Sequence, residues 1–333
     1  MSNNTIDGKI IVITGGTGSF GKQFIQYTLQ HYKPKRLIVV SRDELKQKQL
    51  RKKYPEESTP VRFIIGDVRH KEAMFNATKG ADIVIHAAAL KQVPLCEENP
   101  TEAIKTNVIG TMNVITAAIE NNVERMMLIS TDKATNPANL YGSTKLAAEK
   151  LTISMPNAKQ NDGDFKVIKT KCSVCRYGNV VGSRGSVVPL FREQAKSGKV
   201  TITDERMTRF WITLEQAVAF VHLSLSKMQG GEIFIPKIPS MKIMQMVEAL
   251  APGAQVVITG IRPGEKLHEA MISREEAPYA SEYEHNFVIR PLTPNTVDTF
   301  GGKACAHDFY YASDINPDFL SVPQLIEILK NVH

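Results

Sequence analysis

A short apolar run, Ile10–Thr14, gives way at once to Gly15-Gly16-Thr17-Gly18-Ser19-Phe20-Gly21. This junction constrains the fold more than any other feature of the chain. Gly15, Gly18 and Gly21 are spaced G-x-x-G-x-x-G between a predicted strand and a predicted helix, Gly21–Tyr32. A tight turn, a side-chain-free approach to a pyrophosphate and close helix–strand packing each call for glycine. The helix N-terminus then offers free N–H groups to phosphate oxygens. A lone glycine pattern is weak evidence, but here it is placed between strand and helix at the start of the chain. It therefore predicts dinucleotide binding, with Thr17, Ser19 and Phe20 completing the phosphate turn.

The rest of the first half fits that reading. Nearly continuous apolar runs at Arg36–Ser41, Arg62–Gly66, Ile83–Ala87, Met126–Thr131 and Val167–Tyr177 suit strands covered on both faces. Helical stretches alternate with them: Asp43–Lys53, Thr101–Asn121 and Tyr141–Ser154. The expected fold class is α/β, a doubly wound parallel sheet of the Rossmann type. After Asn179 the pattern breaks into short strands (Val200–Thr203, Glu232–Pro236, Gln255–Ile258) and helices (Val187–Ser197, Leu214–Met228, Ile243–Ala249). Residues 1–178 and 213–238 are assigned to the nucleotide-binding body, and 179–212 and 239–333 to a smaller, discontinuous substrate lobe. Arg274–Asp308, acidic and then Pro/Thr/Gly-rich, reads as an excursion or a subunit contact.

Cofactor choice is written at the end of the second strand. NAD enzymes tend to place a carboxylate there for the ribose 2′-hydroxyl. Here the strand ends Ser41-Arg42-Asp43, with Lys46 one helical turn on. Ser41 can hydrogen-bond a 2′-phosphate, and Arg42 can stack on adenine while pairing with it. The competing reading leaves Arg42 and Lys46 solvated and gives the ribose to Asp43. NADP is favoured over NAD. Asp67 and Val68 are placed for the adenine, and Ala87, Ala88 and Ala89 let the backbone pass close to the cofactor.

Composition excludes some classes and leaves others open. The net charge of +7 is spread along 333 residues without a dense basic, aromatic-interleaved stripe, which argues against nucleic acid. It reads either as a generally basic surface or as cations gathered near a phosphorylated ligand. No apolar run approaches the roughly 18–20 residues of a membrane span, and the polar start lacks a signal peptide, so a cytoplasmic protein is expected. No membrane segment is expected ahead of the catalytic part. Cys172 and Cys175 have C-x-x-C spacing, but they fall in a predicted strand and no second Cys or His pair follows at ligand spacing. Buried thiols in a reducing compartment are the better reading, with no metal site.

Tyr141 and Lys145 are four apart on a predicted helix, hence on one face. A lysine ammonium there can lower the phenol's pKa and bind the nicotinamide ribose. The strand ending Ser130-Thr131 brings further hydroxyls to the same carboxyl edge of the sheet. At this point the chain resembles the extended short-chain dehydrogenase/reductase family. The residues after Ser130-Thr131 are Asp132-Lys133. With HAAALKQVP (His86–Pro94), NLYGSTK (Asn139–Lys145), RYGNVVGSRGSVVPLF (Arg176–Phe191), TRFWIT (Thr208–Thr213), RPGEKLHE (Arg262–Glu269) and the ending YASDINPDFLSVPQLIEIL, it resembles the inverting UDP-N-acetylglucosamine 4,6-dehydratases. Common 4,6-dehydratases carry Asp then Glu where this chain has Asp132 and Lys133.

The resemblance implies a tightly bound NADP regenerated in each cycle, a UDP-N-acetylglucosamine substrate, and entry into pseudaminic acid synthesis. It implies Lys133 as the base at C5, neutral through a lowered pKa, and Asp132 as the acid for the leaving C6 hydroxyl. Tyr141, oriented by Lys145, would serve the C4 hydroxyl, and Thr131 would hydrogen-bond the C4 oxygen. The bland alternative is an Asp132–Lys133 ion pair capping a turn. Arg209 and Arg262 would hold UDP, Glu265 its ribose, and Lys91, Ser130 and Asn179 the sugar. Lys91 and Val180 would also touch the cofactor. Ser183, Arg184, Gly185 and Ser186 form a loop able to close over the pyrophosphate. A homo-oligomer, with a dimer contact through Thr101–Asn121 and Tyr141–Ser154, is implied in the same way. A retaining dehydratase or an epimerase, and a non-catalytic NADP-binding regulator, are the competing readings.

Overall fold

The computed structural model describes residues 5–157, 168–182, 187–290 and 301–330. Six parallel strands build its body: β1 (Ile10–Thr14), β2 (Arg36–Ser41), β3 (Val61–Ile65), β4 (Ile83–His86), β5 (Arg125–Thr131) and β6 (Lys171–Tyr177). They lie in the order β3–β2–β1–β4–β5–β6, each pair in parallel register. The order reverses between β1 and β4, and ligands of open α/β sheets bind in the crevice at such a point. Ile233–Pro236 continues the parallel sheet beyond β6. The apolar runs of the sequence are the central strands, buried because helices cover both faces of the sheet.

The expected helix Thr101–Asn121 is interrupted. It runs as Pro100–Ile104, a π-helical turn Lys105–Ile109, and Gly110–Glu120. Such π-bulges often occur at functional sites. Here the turn carries Asn107, which is buried and accepts from the Leu90 N–H (2.8 Å). Its amide donates to the Leu90 carbonyl (2.9 Å) and to Thr144 Oγ1 (3.0 Å). One side chain thus fastens the loop after β4 to the helix Leu140–Ser154.

Beyond β6 a second apolar cluster forms around Phe191, Trp211, Met246 and Leu325. It is enclosed by the helices Val187–Ala195, Ile243–Leu250 and Val322–Lys330 and by short strands. Asn179–Val180 pairs parallel with Thr208–Ile212, which pairs antiparallel with Ser240–Lys242. The segment read as an excursion behaves otherwise where it is described. Asn286–Ile289 pairs antiparallel with Ile233–Pro236, then Ala280–Glu282 and Lys303–Ala304 follow, extending the main sheet to ten strands. This part of 239–333 therefore packs with the body. Among the described residues no helix is long and apolar enough to cross a membrane.

Candidate active site

The carboxyl edge of the sheet opens into a cavity of about 720 Å³ that runs from the glycine turn to the end of β5. At its floor Gly15 has φ +68°, and a Cβ there would lie 2.8 Å from the backbone of Ala88. The β1 turn and the loop after β4 can touch at the switch point only because Gly15 has no side chain. Thr17, Gly18, Ser19, Phe20 and Gly21 line the cavity beside Gly15. Gly18 caps the helix Ser19–His31 without a side-chain hydrogen bond. The first N–H groups of that helix are thus the donors a phosphate requires.

At the β2 end, Ser41, Arg42, Asp43 and Lys46 also line the cavity. Gln47 Nε2 donates to the Ser41 carbonyl (2.9 Å) and hydroxyl (3.2 Å), fixing its rotamer. Asp43 caps the helix Glu44–Lys53 by accepting from the Lys46 N–H (2.9 Å), and its carboxylate also pairs with the Lys46 ammonium. Arg42 extends toward solvent, 3.9 Å from Asp67. Arg69 grips Asp67 by three side-chain hydrogen bonds, and these hold its carboxyl below the usual range. Val68, Ala87, Ala88, Ala89 and Lys91 complete this half.

The other half gathers Ser130, Thr131, Asp132, Lys133, Tyr141, Lys145, Asn179 and Val180. Thr131 ends β5 and donates to Asp132 Oδ1 (2.9 Å). Asp132 is fully buried in a short helical turn, 3.1 Å from Lys133 Nζ, and its Oδ2 has no hydrogen-bond partner among the described residues. Burial pushes its carboxyl above the ordinary range against the pull of Lys133. Gly142, at the start of the helix Leu140–Ser154, permits this packing, since a Cβ there would fall 2.2 Å from the Lys133 carbonyl.

Two expectations change. Lys133 was expected to have a lowered pKa. Burial does disfavour its ammonium, but Asp132 and a second carboxylate, Glu269, outweigh it and hold the group above its ordinary value. Glu269 Oε1 lies 3.2 Å from Lys133 Nζ and is itself buried. Tyr141, expected to be depressed by Lys145, is pushed up to about 12 by burial, and the cation opposing that shift is Lys133. Lys145 is buried, lowered to about 8 for that reason, and donates to the Ile129 carbonyl (2.7 Å).

Ser130 borders the cavity, but its hydroxyl donates to Glu149 (2.5 Å). Beneath it the fully buried Arg176 bridges Glu149 (2.6 Å) and Glu276 (2.8 Å). Arg209, Arg262 and Glu265 do not line the cavity. Arg209 donates instead to the carbonyls of Thr208 (2.7 Å), Leu267 (2.9 Å) and Lys266 (3.0 Å), because the strand Thr208–Ile212 runs alongside that segment. Arg262 is exposed and joined to Glu265 through its backbone. Ser183, Arg184, Gly185 and Ser186 lie outside the described residues. Sequence reasoning missed Glu269, Arg176, Glu149 and Trp211. The Trp211 indole N–H and Asn179 Oδ1 are buried, without hydrogen-bond partners among the described residues, and belong to residues of the cavity wall. The only signal for Trp211 was its place in TRFWIT.

Known proteins are similar to this chain along nearly its whole length. A UDP-N-acetylglucosamine 4,6-dehydratase (inverting) from Campylobacter jejuni is 48% identical, covering 98% of each chain. A UDP-glucose 4-epimerase from Rickettsia bellii is 42% identical over 97% of this chain and 96% of its own. The X-ray structure of Pen from Bacillus thuringiensis superposes with a TM-score of 0.87 at 35% identity, covering 98% of this chain and 99% of that one. The match to the polysaccharide biosynthesis protein family extends over residues 11–291, and the chain belongs to that family.

Proposed function

We propose that this chain is an NADP-dependent UDP-N-acetylglucosamine 4,6-dehydratase that inverts C5. Its product would be UDP-2-acetamido-2,6-dideoxy-β-L-arabino-hex-4-ulose, and its place the first step of pseudaminic acid synthesis. The observation that carries the reading is the pair of buried Asp132 and partly exposed Lys133, in contact at 3.1 Å and sharing one cavity with Tyr141 and a glycine-lined phosphate turn. An epimerase needs to move hydride and one proton. An elimination also needs an acid for the leaving hydroxyl and a base at the neighbouring carbon.

The residues fit a dinucleotide: the Gly15 cradle has no room for a Cβ and the helix Ser19–His31 presents its N–H groups. Ser41 and Arg42 would hold a 2′-phosphate, the Asp43 carboxylate being engaged in its cap and with Lys46. A nicotinamide held there would supply the acceptor for the C4 hydride and its return to C6, after which C5 would take up a proton from the face opposite the one that lost it. Tyr141 would take the C4 hydroxyl proton as its phenolate, a form that the Lys133 ammonium favours and burial opposes, and Lys145 would hold the ribose. Oxidation at C4 acidifies C5–H. Transfer of one proton from Lys133 to Asp132 across their contact converts the ion pair into a neutral amine and a neutral acid. The amine then takes the C5 proton while the acid protonates the departing C6 hydroxyl as water. Subunits would pair through the helices Thr101–Asn121 and Tyr141–Ser154, the first of which exposes Ile104, Ile109 and Met112.

The test is incubation of the purified protein with UDP-N-acetylglucosamine in heavy water, with NMR of the product. A 4-keto-6-deoxy sugar of L-arabino configuration with deuterium at C5 is expected, and Lys133→Ala should abolish turnover. A C4 epimer alone would overturn the elimination roles of Asp132 and Lys133 and favour the activity named for the Rickettsia relative. Retention at C5 would remove the inverting assignment.

A further inference from the structure

Lys133 is held from two sides. Asp132 belongs to its own turn, at 3.1 Å, whereas Glu269 reaches it from the RPGEKLHE segment, at 3.2 Å. Glu269 is buried and does not line the cavity, so it reaches a ligand only through Lys133. Its placement is elaborately secured. Its N–H donates to Ser313 Oγ (3.0 Å), and it accepts the Ser313 N–H at its own carbonyl (2.8 Å). The segment is pinned to the catalytic turn by Lys266 Nζ donating to the Thr135 carbonyl (2.7 Å), and by Asn139 Nδ2 donating to the Gly264 carbonyl (2.8 Å). Glu269 Oε2 has no hydrogen-bond partner among the described residues, with Lys266 Nζ 3.6 Å away. A buried carboxylate left half-satisfied is costly unless its charge is used.

We propose that Glu269 is a positioning residue: it fixes Lys133 from the segment opposite the catalytic turn and biases where the single proton shared by Lys133 and Asp132 resides. The inference rests on the acid–base roles proposed above and deepens them. With Glu269 ionised, the ammonium form of Lys133 is favoured, and the neutral amine arises only by transfer to Asp132. The proton is then delivered to the acid that needs it, not lost to water. The charged and titratable groups facing this pair are Glu269, Tyr141 and Arg209, with Lys266 and Tyr310 against Glu269. Lys133 itself, and after it Arg209 and Lys266, keep Glu269 ionised, which burial alone would oppose.

The test compares the unmodified protein with Glu269→Gln and Glu269→Asp, each carrying its own cofactor. Lys133 is acylated with acetic anhydride across a pH series without substrate, and the modified peptide is quantified by mass spectrometry. The reactivity midpoint of Lys133 should fall by roughly one to three pH units in Glu269→Gln, the size of effect of one neighbouring charge. It should fall by less in Glu269→Asp, which keeps the charge on a shorter arm. The alkaline limb of kcat should move the same way, with KM for UDP-N-acetylglucosamine within about twofold of wild type, since a group outside the cavity adds little ground-state binding. Unchanged labelling midpoints, or a kcat loss uniform across pH, would overturn the proposal and leave Glu269 a packing residue. If Glu269→Gln does not fold, a downward midpoint shift in Glu269→Asp, whose shorter arm lengthens the contact, supports the proposal and no shift refutes it. Labelling needs no turnover, so failure of the dehydratase reading is seen separately, as absence of product from the unmodified protein.

Discussion

Replacing Arg176 by Met tests what supports the catalytic strand from below. The guanidinium is fully buried and makes six hydrogen bonds: two to Glu149 (3.1 and 2.6 Å), two to Glu276 (2.9 and 2.8 Å), and one each to Thr135 Oγ1 (2.9 Å) and the Met271 carbonyl (2.8 Å). Met fills much of the volume but leaves Glu149, also fully buried, and Glu276 without their cation. Removing one partner of a buried ion pair costs about 3–5 kcal/mol, and here one cation serves two carboxylates, so about 5 kcal/mol is expected. Adding Glu149→Gln removes the deepest uncompensated charge and should restore up to about 3 kcal/mol, the usual ceiling for coupled neighbours. Urea unfolding reads both, with the single tryptophan, Trp211, reporting on the second cluster and far-UV circular dichroism on the sheet. A sign-specific check accompanies it. Burial alone would raise Glu276, but Arg176 outweighs it and holds the carboxyl below its ordinary value. Its stabilisation is therefore present above the unfolded-state pKa and lost as pH falls through the lower folded one. Arg176→Met should lose that acid-dependent component. A variant within about 1 kcal/mol of wild type, or a double variant that merely sums the singles, would refute the reasoning.

Gly15→Ala would place a methyl 2.8 Å from the Ala88 backbone at a positive φ, so nucleotide binding followed by NADPH fluorescence should be lost. The backbone conformation alone should cost about 1–2 kcal/mol of stability. His86, between Thr14 Oγ1 (2.7 Å) and Thr111 Oγ1 (3.0 Å), and His222, stacked on Phe24, are each lowered to about 3 by burial. The unfolded chain takes up these protons near pH 6.5 and the folded one does not. Stability should therefore fall as pH drops from there, by about 1.4 kcal/mol per unit for each histidine. His222→Phe should remove one histidine's share of that slope, and an unchanged slope would sink the assignment.

How legible the fold was depended on burial. Strands covered on both faces read as nearly continuous apolar runs, so β1, β2 and β4 announce themselves, and β1 and β2 keep the bounds their residues suggest. The strands Ala280–Glu282 and Lys303–Ala304 are too short to show a period and pair antiparallel at the sheet edge, so an acidic, Gly/Pro-rich stretch concealed an extension of the main sheet. The site divides similarly. The nucleotide half and the Thr131–Lys145 half lie on strand ends and on one helix, where spacing fixes position. Glu269 meets Lys133 only through tertiary folding. The family resemblance alone places Arg209 on UDP, yet three nearby carbonyls take its donors.

This division has a mechanistic consequence. Asp132, Lys133, Tyr141 and Lys145 are set by β5 and the helix Leu140–Ser154, but the charge that biases Lys133 arrives on the backbone segment that carries Arg262 and Glu265. On the proposed reading, the segment that meets the uridine end of the substrate also seats Glu269, through the Asn139–Gly264 and Lys266–Thr135 hydrogen bonds. Nucleotide recognition and the protonation of the catalytic pair then share one stretch of chain. If energy from the remote uridine presses this segment further onto Lys133, a substrate shortened to the sugar phosphate loses kcat as well as affinity. An unchanged kcat with the shortened substrate would show that the segment is already seated and that Glu269 acts independently of the nucleotide.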